Sequence, residues 1–319
     1  MKELNVLYTL DSAYLKYMLV SLYSLIENNQ DLDIKVHIIY DDFTINDFKL
    51  IETSIKSFNN INIFFYDFNN IKNIINEYNI SNWRGKSIPN ARLFFNEIIK
   101  DTDKLLYLDS DTIVIDSVNK LNNYDGTVNM VVDAMPKYYW KELDPSLKNY
   151  YNSGVMYIDV DKWRKNNCDS KIVETIIDNQ NYTYPDQDII NMALKNDISS
   201  LPPEYNLFST DAYYNPFILS RHYSQNEIER YDYDTMKKAK KNPIILHSTP
   251  FYSYHGWDNN PIHPYHIYYM EYFNKIGIKP DSINNLKINP TFYKLYLNTK
   301  LLFPKEFRDK VKKLIRKWC

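Results

Sequence analysis

Three apolar runs of strand length, Leu4–Leu10, Ile34–Tyr40 and Ile61–Asp67, alternate with two stretches whose apolar residues recur at helical spacing. In Ser12–Asn29 these are Leu15, Met18, Leu19, Leu22, Leu25 and Ile26, all on one face, and the second stretch is Ile45–Ser57. A β-α-β-α-β order of this kind leaves little choice, because parallel neighbours must be joined by crossovers that lay helices on the faces of the sheet. Lys104–Leu108 reads as a further short buried strand. Val128–Val132, Val155–Ile158 and, much later, Pro243–His247 read the same way. Beyond about Pro202 the chain is dense in Tyr, His and Pro and reads as loop-rich. The expected class is therefore α/β.

Composition removes several functions from such a fold. The five glycines, Gly85, Gly126, Gly154, Gly256 and Gly277, are too scattered to write a phosphate-cradling loop or a GxGxxG dinucleotide turn. Two cysteines, Cys168 and Cys319, build neither a disulfide framework nor a zinc cluster, which suits a reducing compartment. A net charge of −2 argues against a nucleic-acid partner. No run approaches the roughly 18 apolar residues of a membrane span, and the opening residues read as a strand rather than a secretory leader. A cytoplasmic protein is expected.

The residues with chemistry follow the strands. Ligand sites in parallel sheets lie at the carboxyl ends of strands, and Lys104–Leu108 runs directly into Asp109, Ser110 and Asp111. Two carboxylates one residue apart in extended chain leave the same face and repel unless a cation lies between them. Such a pair suits Mg²⁺ or Mn²⁺ with positions left for diphosphate oxygens, and a solvated acidic turn is the plainer alternative. His247 ends another apolar strand, and an imidazole added to two carboxylates shifts the preference toward Mn²⁺. Asp186, Gln187 and Asp188 open a helix, where acids are also expected for the dipole alone.

Together these pieces resemble family 8 retaining glycosyltransferases, the group of bacterial lipopolysaccharide galactosyl- and glucosyltransferases and the glycogenins. The resemblance runs from Leu4 to Trp257. It is carried by Tyr8–Tyr14, by Ala91, Arg92 and Leu93 at a helix start, and by Lys104–Asp111. Asn152–Met156, Asp159–Trp163, Asp186–Asn191 and His247 followed by Trp257 complete it. It implies a GT-A fold: one nucleotide-sugar-binding domain, residues 1–275, with a mixed, mostly parallel sheet, and a helical C-terminal extension over 276–319. It further implies a hexose, galactose or glucose, moved from a UDP-sugar to a cell-surface glycan or glycolipid acceptor with Mn²⁺, Mg²⁺ being possible. Asp109, Asp111 and His247 match the metal ligands. Asp11 and Tyr14 match uracil-contacting positions, and an aromatic ring beside a carboxylate is also what would stack on and hydrogen-bond a base. Tyr8, Thr9 and Ser110 are grouped with the donor-binding positions. Arg92, Asn152, Ser153, Gly154, Asp186 and Gln187 resemble the shell around the donor sugar, and Asp133 matches an acid near the reacting centre.

Retention in glycosidases employs a carboxylate nucleophile. At the matching place stands Gln187, a poor nucleophile, which favours front-face attack by the acceptor hydroxyl with the Gln187 carbonyl steadying the cationic sugar. His255 occupies the place of a family lysine that meets the diphosphate. A histidine does so fully only when protonated, near or below its ordinary pKa of about 6.5. This departure is the one feature favouring an alternative in which the chain binds nucleotide-sugars or glycans without turnover. A nucleotidyltransferase using the same aspartates is a third reading, which leaves Asp186–Asp188 unexplained.

The tail has a pattern of its own. From Lys305 onward seven basic residues face two acids, while Phe307, Val311, Leu314, Ile315 and Trp318 recur at helical spacing. The expectation is a basic amphipathic helix on an anionic membrane surface, which would place the protein peripherally on the inner face of the cytoplasmic membrane. The alternative is a helix packed on its own domain. Cys319 is expected to be inert.

Overall fold

The computed structural model describes residues 2–178, 182–225, 227–249, 251, 254–281, 283–286, 290, 291, 293, 294 and 297. Ten strands appear among them: β1 (Lys2–Asp11), β2 (Leu32–Asp41), β3 (Ile61–Asp67), β4 (Lys104–Leu108), β5 (Thr112–Val114), β6 (Val128–Val132), β7 (Tyr151–Asp159), β8 (Ile198–Ser200), β9 (Leu207–Phe208) and β10 (Ile245–His247). Seven form one sheet in the order β3-β2-β1-β4-β7-β6-β8, and β5-β10-β9 form a second, smaller one. All neighbours in the large sheet are parallel except those of β7, which runs against β4 and β6. The result is the expected α/β architecture with a mixed, mostly parallel sheet.

Burial of both faces explains why the central strands are mainly apolar. Val6, Tyr8 and Leu10 of β1 pack with Leu106, Leu108, Val155 and Tyr157 on one face, beneath helix Leu15–Glu27. Leu7 packs on the opposite face with Leu105, Tyr107, Met156 and Ile158, together with Trp163 and the buried thiol residue Cys168. Both faces are covered, so polar residues in mid-strand, such as Thr9 and His37, are buried and hydrogen-bonded.

The local differences from expectation have clear causes. The helix expected over Ser12–Asn29 begins as a 3₁₀ turn, Ser12–Tyr14, and is α-helical over Leu15–Glu27, because Asp11 still belongs to β1 and the chain must turn sharply off the sheet edge. Ala91, Arg92 and Leu93 lie within a 3₁₀ run, Ile88–Phe94, that leads into the short α-helix Phe95–Ile98, rather than at a helix start. The Tyr-rich stretch after Pro202 is not mainly loop. It holds helices Ser209–Tyr213, Pro216–Gln225, Tyr233–Lys241 and His266–Ile276. Tyr269, Tyr272 and Phe273 of the last helix pack against Tyr17 and Val20 of helix Leu15–Glu27, so the aromatic residues there are core.

The expected boundary at residues 275 and 276 falls in the last turn of His266–Ile276, which is capped by Gly277 at φ 77°. The basic amphipathic segment and Cys319 lie outside the described residues. Among the described residues no helix is long and apolar enough to cross a membrane.

Candidate metal and donor site

The carboxyl end of β4 meets the small sheet at one place. Antiparallel pairing of β5 with β10 sets Thr112 opposite His247, and the Ser248 N–H donates to the Asp111 carbonyl at 2.8 Å. Asp109, Asp111 and His247 thereby converge, each offering a ligand atom within 4.8 Å of the others. His247 Nε2 is 3.3 Å from Asp111 Oδ1 and 3.8 Å from Asp109 Oδ2. The convergence does not come from extended chain as the spacing suggested. Ser110 and Asp111 form a turn in which the Thr112 N–H donates to the Asp109 carbonyl, and this turn swings Asp111 toward β10.

The surroundings fit a divalent cation. His247 Nδ1 is 2.9 Å from Asn206 Oδ1, an oxygen that can only accept, so Nδ1 carries a proton and Nε2 is the atom facing the carboxylates. Burial works against a charged Asp111, but His247 outweighs it and holds the carboxyl below its ordinary range. Burial likewise opposes a charged His247, and Asp111 with Asp109 raises it above its usual value. Gly154 completes the packing: a Cβ there would lie 2.3 Å from His247 Cε1 and 2.7 Å from Asp109 Oδ2.

Arg92 organises the other side. Its buried guanidinium donates to Asp109 Oδ1 at 2.8 Å and is 3.1 Å from Asp186 Oδ2, while Nε donates to the Pro89 carbonyl. Its Cζ lies 4.3 Å from the ring centroid of Tyr107, whose hydroxyl also donates to Asp109 Oδ1. Thr9 Oγ1 bonds that hydroxyl at 3.0 Å, and Ser110 is buried in the turn between the two acids. Arg92 and Thr9 are thus committed to orienting Asp109. Burial pushes the Asp186 carboxyl up, although Arg92 pulls the other way.

The shell expected around a donor sugar is assembled where the register of β6 against β7 slips. Met130 pairs with Met156 and Val131 with Asn152, so Ser153, Gly154 and Val155 have no β6 partner. Gln187, in helix Pro185–Ala193, accepts at its carbonyl from Asn152 Nδ2 and the Ser153 N–H, both at 3.1 Å, and its own amide donates to Asp133 Oδ2. Asn152 Nδ2 reaches the same Asp133 oxygen at 3.0 Å, and Ser153 Oγ donates to Asp186 Oδ2. The Gln187 carbonyl thus accepts two N–H donors, and the Asp133 carboxylate lies beside its amide. Asp188 belongs to the scaffold, accepting from Tyr139, Tyr150 and the Tyr184 N–H.

At the carboxyl end of β1, Asp11 is buried beside half-exposed Tyr14, with Oδ2 paired to Lys86 at 2.9 Å. Tyr8 does not join them. Its side chain is wholly buried in the core and its hydroxyl bonds Ser21, because position 8 has the parity of Val6 and Leu10. His255 lies flat on Trp257, ring centroids 4.3 Å apart, and Trp257 stacks on Tyr17 at 3.9 Å. His255 Nδ1 is buried with no hydrogen-bond partner among the described residues.

Asn206, Tyr107 and Lys86 were not singled out by sequence. Asn206 links the two halves of the site, since its amide also donates to Asn152 Oδ1 at 2.9 Å. A lone Asn in a loop carries no local signal of such a role, whereas Tyr107 sits one residue before the acidic turn's leading Leu and shares the parity of Asp109.

Comparison with known proteins agrees with this arrangement. Residues 5–252 match the family described as Glycosyl transferase family 8. The chain is 29% identical over 307 residues to a lipopolysaccharide 1,2-glucosyltransferase of Escherichia coli K12, covering 92% of this chain and 84% of that one. It is 23% identical over 283 residues to a lipopolysaccharide 1,3-galactosyltransferase of Salmonella typhimurium, covering 83% and 77%. Among solved structures, galactosyltransferase LgtC with donor and acceptor sugar analogues superimposes with a TM-score of 0.64 at 20% identity, over 86% of this chain and 95% of that one. The bifunctional glycosyltransferase WbbM, in its apo form, gives 0.68 at 17% identity, over 88% of this chain and 50% of that one. A GT-A-type sheet with this side-chain arrangement at its carboxyl edge, and a family match over most of its length, make the chain a glycosyltransferase of family 8.

Proposed function

We propose that the protein is a retaining hexosyltransferase that moves glucose or galactose from a UDP-sugar to a cell-surface glycan or glycolipid, using a divalent cation, with Mn²⁺ preferred. The observation that carries the reading is the convergence of Asp109, Asp111 and His247 beside Asp186, Gln187 and Asp133. The mixed nitrogen and oxygen set suits Mn²⁺ better than Mg²⁺. A cation held there would offset the negative charge that grows on the departing diphosphate.

The chain's own residues do the rest. Asp186, fixed by Arg92 and Ser153, is placed to accept hydroxyls of the donor sugar. Asp133, fixed by Asn152 and Gln187, adds negative charge near the anomeric centre as it becomes cationic. Gln187, tied to Ser153 and Asp133, is an amide at the place where a double displacement would need a carboxylate. The acceptor hydroxyl then attacks from the face the diphosphate leaves, and the departing phosphate oxygen takes its proton. His255, one of whose ring nitrogens has no hydrogen-bond partner among the described residues, is the group proposed to meet the diphosphate.

The test is release of UDP from a panel of nucleotide-sugars by the purified protein, with Mn²⁺, with Mg²⁺ and after chelation. Slow, Mn²⁺-dependent hydrolysis of UDP-glucose or UDP-galactose supports the proposal. Full activity in metal-free buffer rejects the metal assignment, and tight UDP-sugar binding with no turnover in any assay would favour the binding-protein reading.

A further inference from the structure

We propose that Lys86 is a positioning residue for nucleobase choice: by pairing with one oxygen of Asp11 it leaves the other to accept an imide N–H, so that a uracil-type base is taken and a cytosine-type base refused. The inference rests on the reading of Asp11 and Tyr14 as the nucleobase end of the donor site.

The two oxygens of Asp11 differ. Oδ2 receives the Lys86 ammonium at 2.9 Å, whereas Oδ1 is buried and has no hydrogen-bond partner among the described residues. A buried carboxylate oxygen without a donor is costly unless something that binds there supplies one. Parallel pairing of β1 with β2 sets Asp41 opposite Asp11, and Asp42 follows it, so that Lys86 faces three carboxylates. Burial and Asp42 raise the Asp41 carboxyl, and Lys72 acts against them.

The lysine is delivered by a tight turn. Trp83 and Lys86 exchange N–H···O=C bonds of 2.9 Å in both directions, and Arg84 and Gly85 between them both have positive φ, 50° and 81°. A Cβ at Gly85 would meet nothing within 4 Å, so glycine is needed for its backbone angle alone. The turn is seated at its other end, where the Trp83 ring lies 5.1 Å from that of Tyr184. Lys86 is 60% exposed at its side chain while Asp11 is 6% exposed, so the lysine caps the carboxylate from the solvent side.

Uracil presents an N–H at ring position 3, and cytosine presents a lone pair there. An ionised Asp11 with Oδ1 free accepts from the first and repels the second. Without the ammonium the buried carboxylate loses the contact that fixes Oδ2 and is free to rotate, so no single oxygen is held in place to accept the imide N–H. Losing Lys86 should therefore blunt the choice of base as well as weaken binding.

Calorimetric titration of the full-length protein with UDP, CDP and inorganic pyrophosphate, all with Mn²⁺, tests this. Wild type should prefer UDP over CDP. Lys86→Gln should weaken UDP roughly tenfold, shrink the UDP/CDP ratio by a similar factor and leave pyrophosphate unchanged. Lys86→Arg should restore the ratio, and Lys86→Gln should have no further effect in an Asp11→Asn background. Equal weakening of UDP, CDP and pyrophosphate would mean that the lysine meets the diphosphate and overturns the proposal, as does an unchanged UDP/CDP ratio. A wild type that binds UDP and CDP alike rejects the reading of the base site itself, and the Lys86 proposal with it. Equal unfolding midpoints for wild type and Lys86→Gln show that any change is not a loss of fold.

Discussion

Gly154 stands so close to His247 that no side chain fits between them: a Cβ would come within 2.3 Å of the imidazole and 2.7 Å of Asp109 Oδ2. The main-chain carbonyl of the same glycine accepts the Asp109 N–H at 2.8 Å, so backbone and ligand are locked together. Gly154→Ala must push the imidazole or the carboxylate away. We expect roughly 10- to 100-fold weaker Mn²⁺ binding with the fold retained, read by metal titration beside circular dichroism. Unchanged metal affinity would show that His247 does not need its present place.

Asn206 should matter for a different reason. Its carbonyl fixes the proton on His247 Nδ1, and its amide holds Asn152. Asn206→Leu removes the acceptor, frees the ring and leaves Asn152 Oδ1 with one donor fewer. The expected outcome is a rise of about one to two orders of magnitude in the Mn²⁺ concentration needed for half-maximal activity. An unaltered metal requirement would count against the orienting role.

Arg92 is the counter-charge to two carboxylates in a buried setting. Arg92→Met leaves Asp109 and Asp186 without it and should lower stability by about 3–5 kcal/mol, besides abolishing transfer. Arg92→Lys keeps the charge but cannot reach Asp109, Asp186 and the Pro89 carbonyl together, so stability should recover in part while activity stays low. Denaturant unfolding with parallel donor-hydrolysis assays separates the two.

His37, on β2, lies between Asn5 Oδ1 and the Tyr66 hydroxyl, and burial, then Lys35, lowers it to about 4. The unfolded chain takes up this proton near pH 6.5 and the folded chain only near 4, so between those values acid favours unfolding. This group should remove up to about 3 kcal/mol of stability as pH falls through that window. His37→Gln should flatten that part of the stability curve and leave activity at neutral pH intact. Parallel curves for the two proteins from pH 6.5 to 4 would contradict this.

The C-terminal basic segment carries a prediction from sequence alone. A net charge of +5 over residues 305–319 with five apolar residues at helical spacing should bind anionic vesicles, at about 1 kcal/mol per basic residue before ordering costs. Ending the chain at Phe303 should abolish co-sedimentation and preserve donor hydrolysis. Equal binding by both forms rejects membrane attachment.

Most of the frame could be read from the chain, because burial on both faces of a sheet forces continuous apolar strands and crossovers force the helices between them. Lys104–Leu108, Val128–Val132 and Ile61–Asp67 have the bounds the pattern suggested, and the acidic turn follows β4 where a parallel sheet places its ligands. The matches to Asp109, Asp111 and His247 were legible as residue types after strands. Their convergence was not, since β5 and β10 are more than a hundred residues apart and only tertiary pairing sets Thr112 against His247. The same holds for the burial of Tyr8, the occupied carbonyl of Gln187, and the parts played by Asn206 and Lys86. Local sequence determines period, parity and turn chemistry, which act over a few residues. Which atom of a side chain faces a site, and which is already satisfied, depends on donors and acceptors brought from distant strands, and that was decided only when the sheet closed around them.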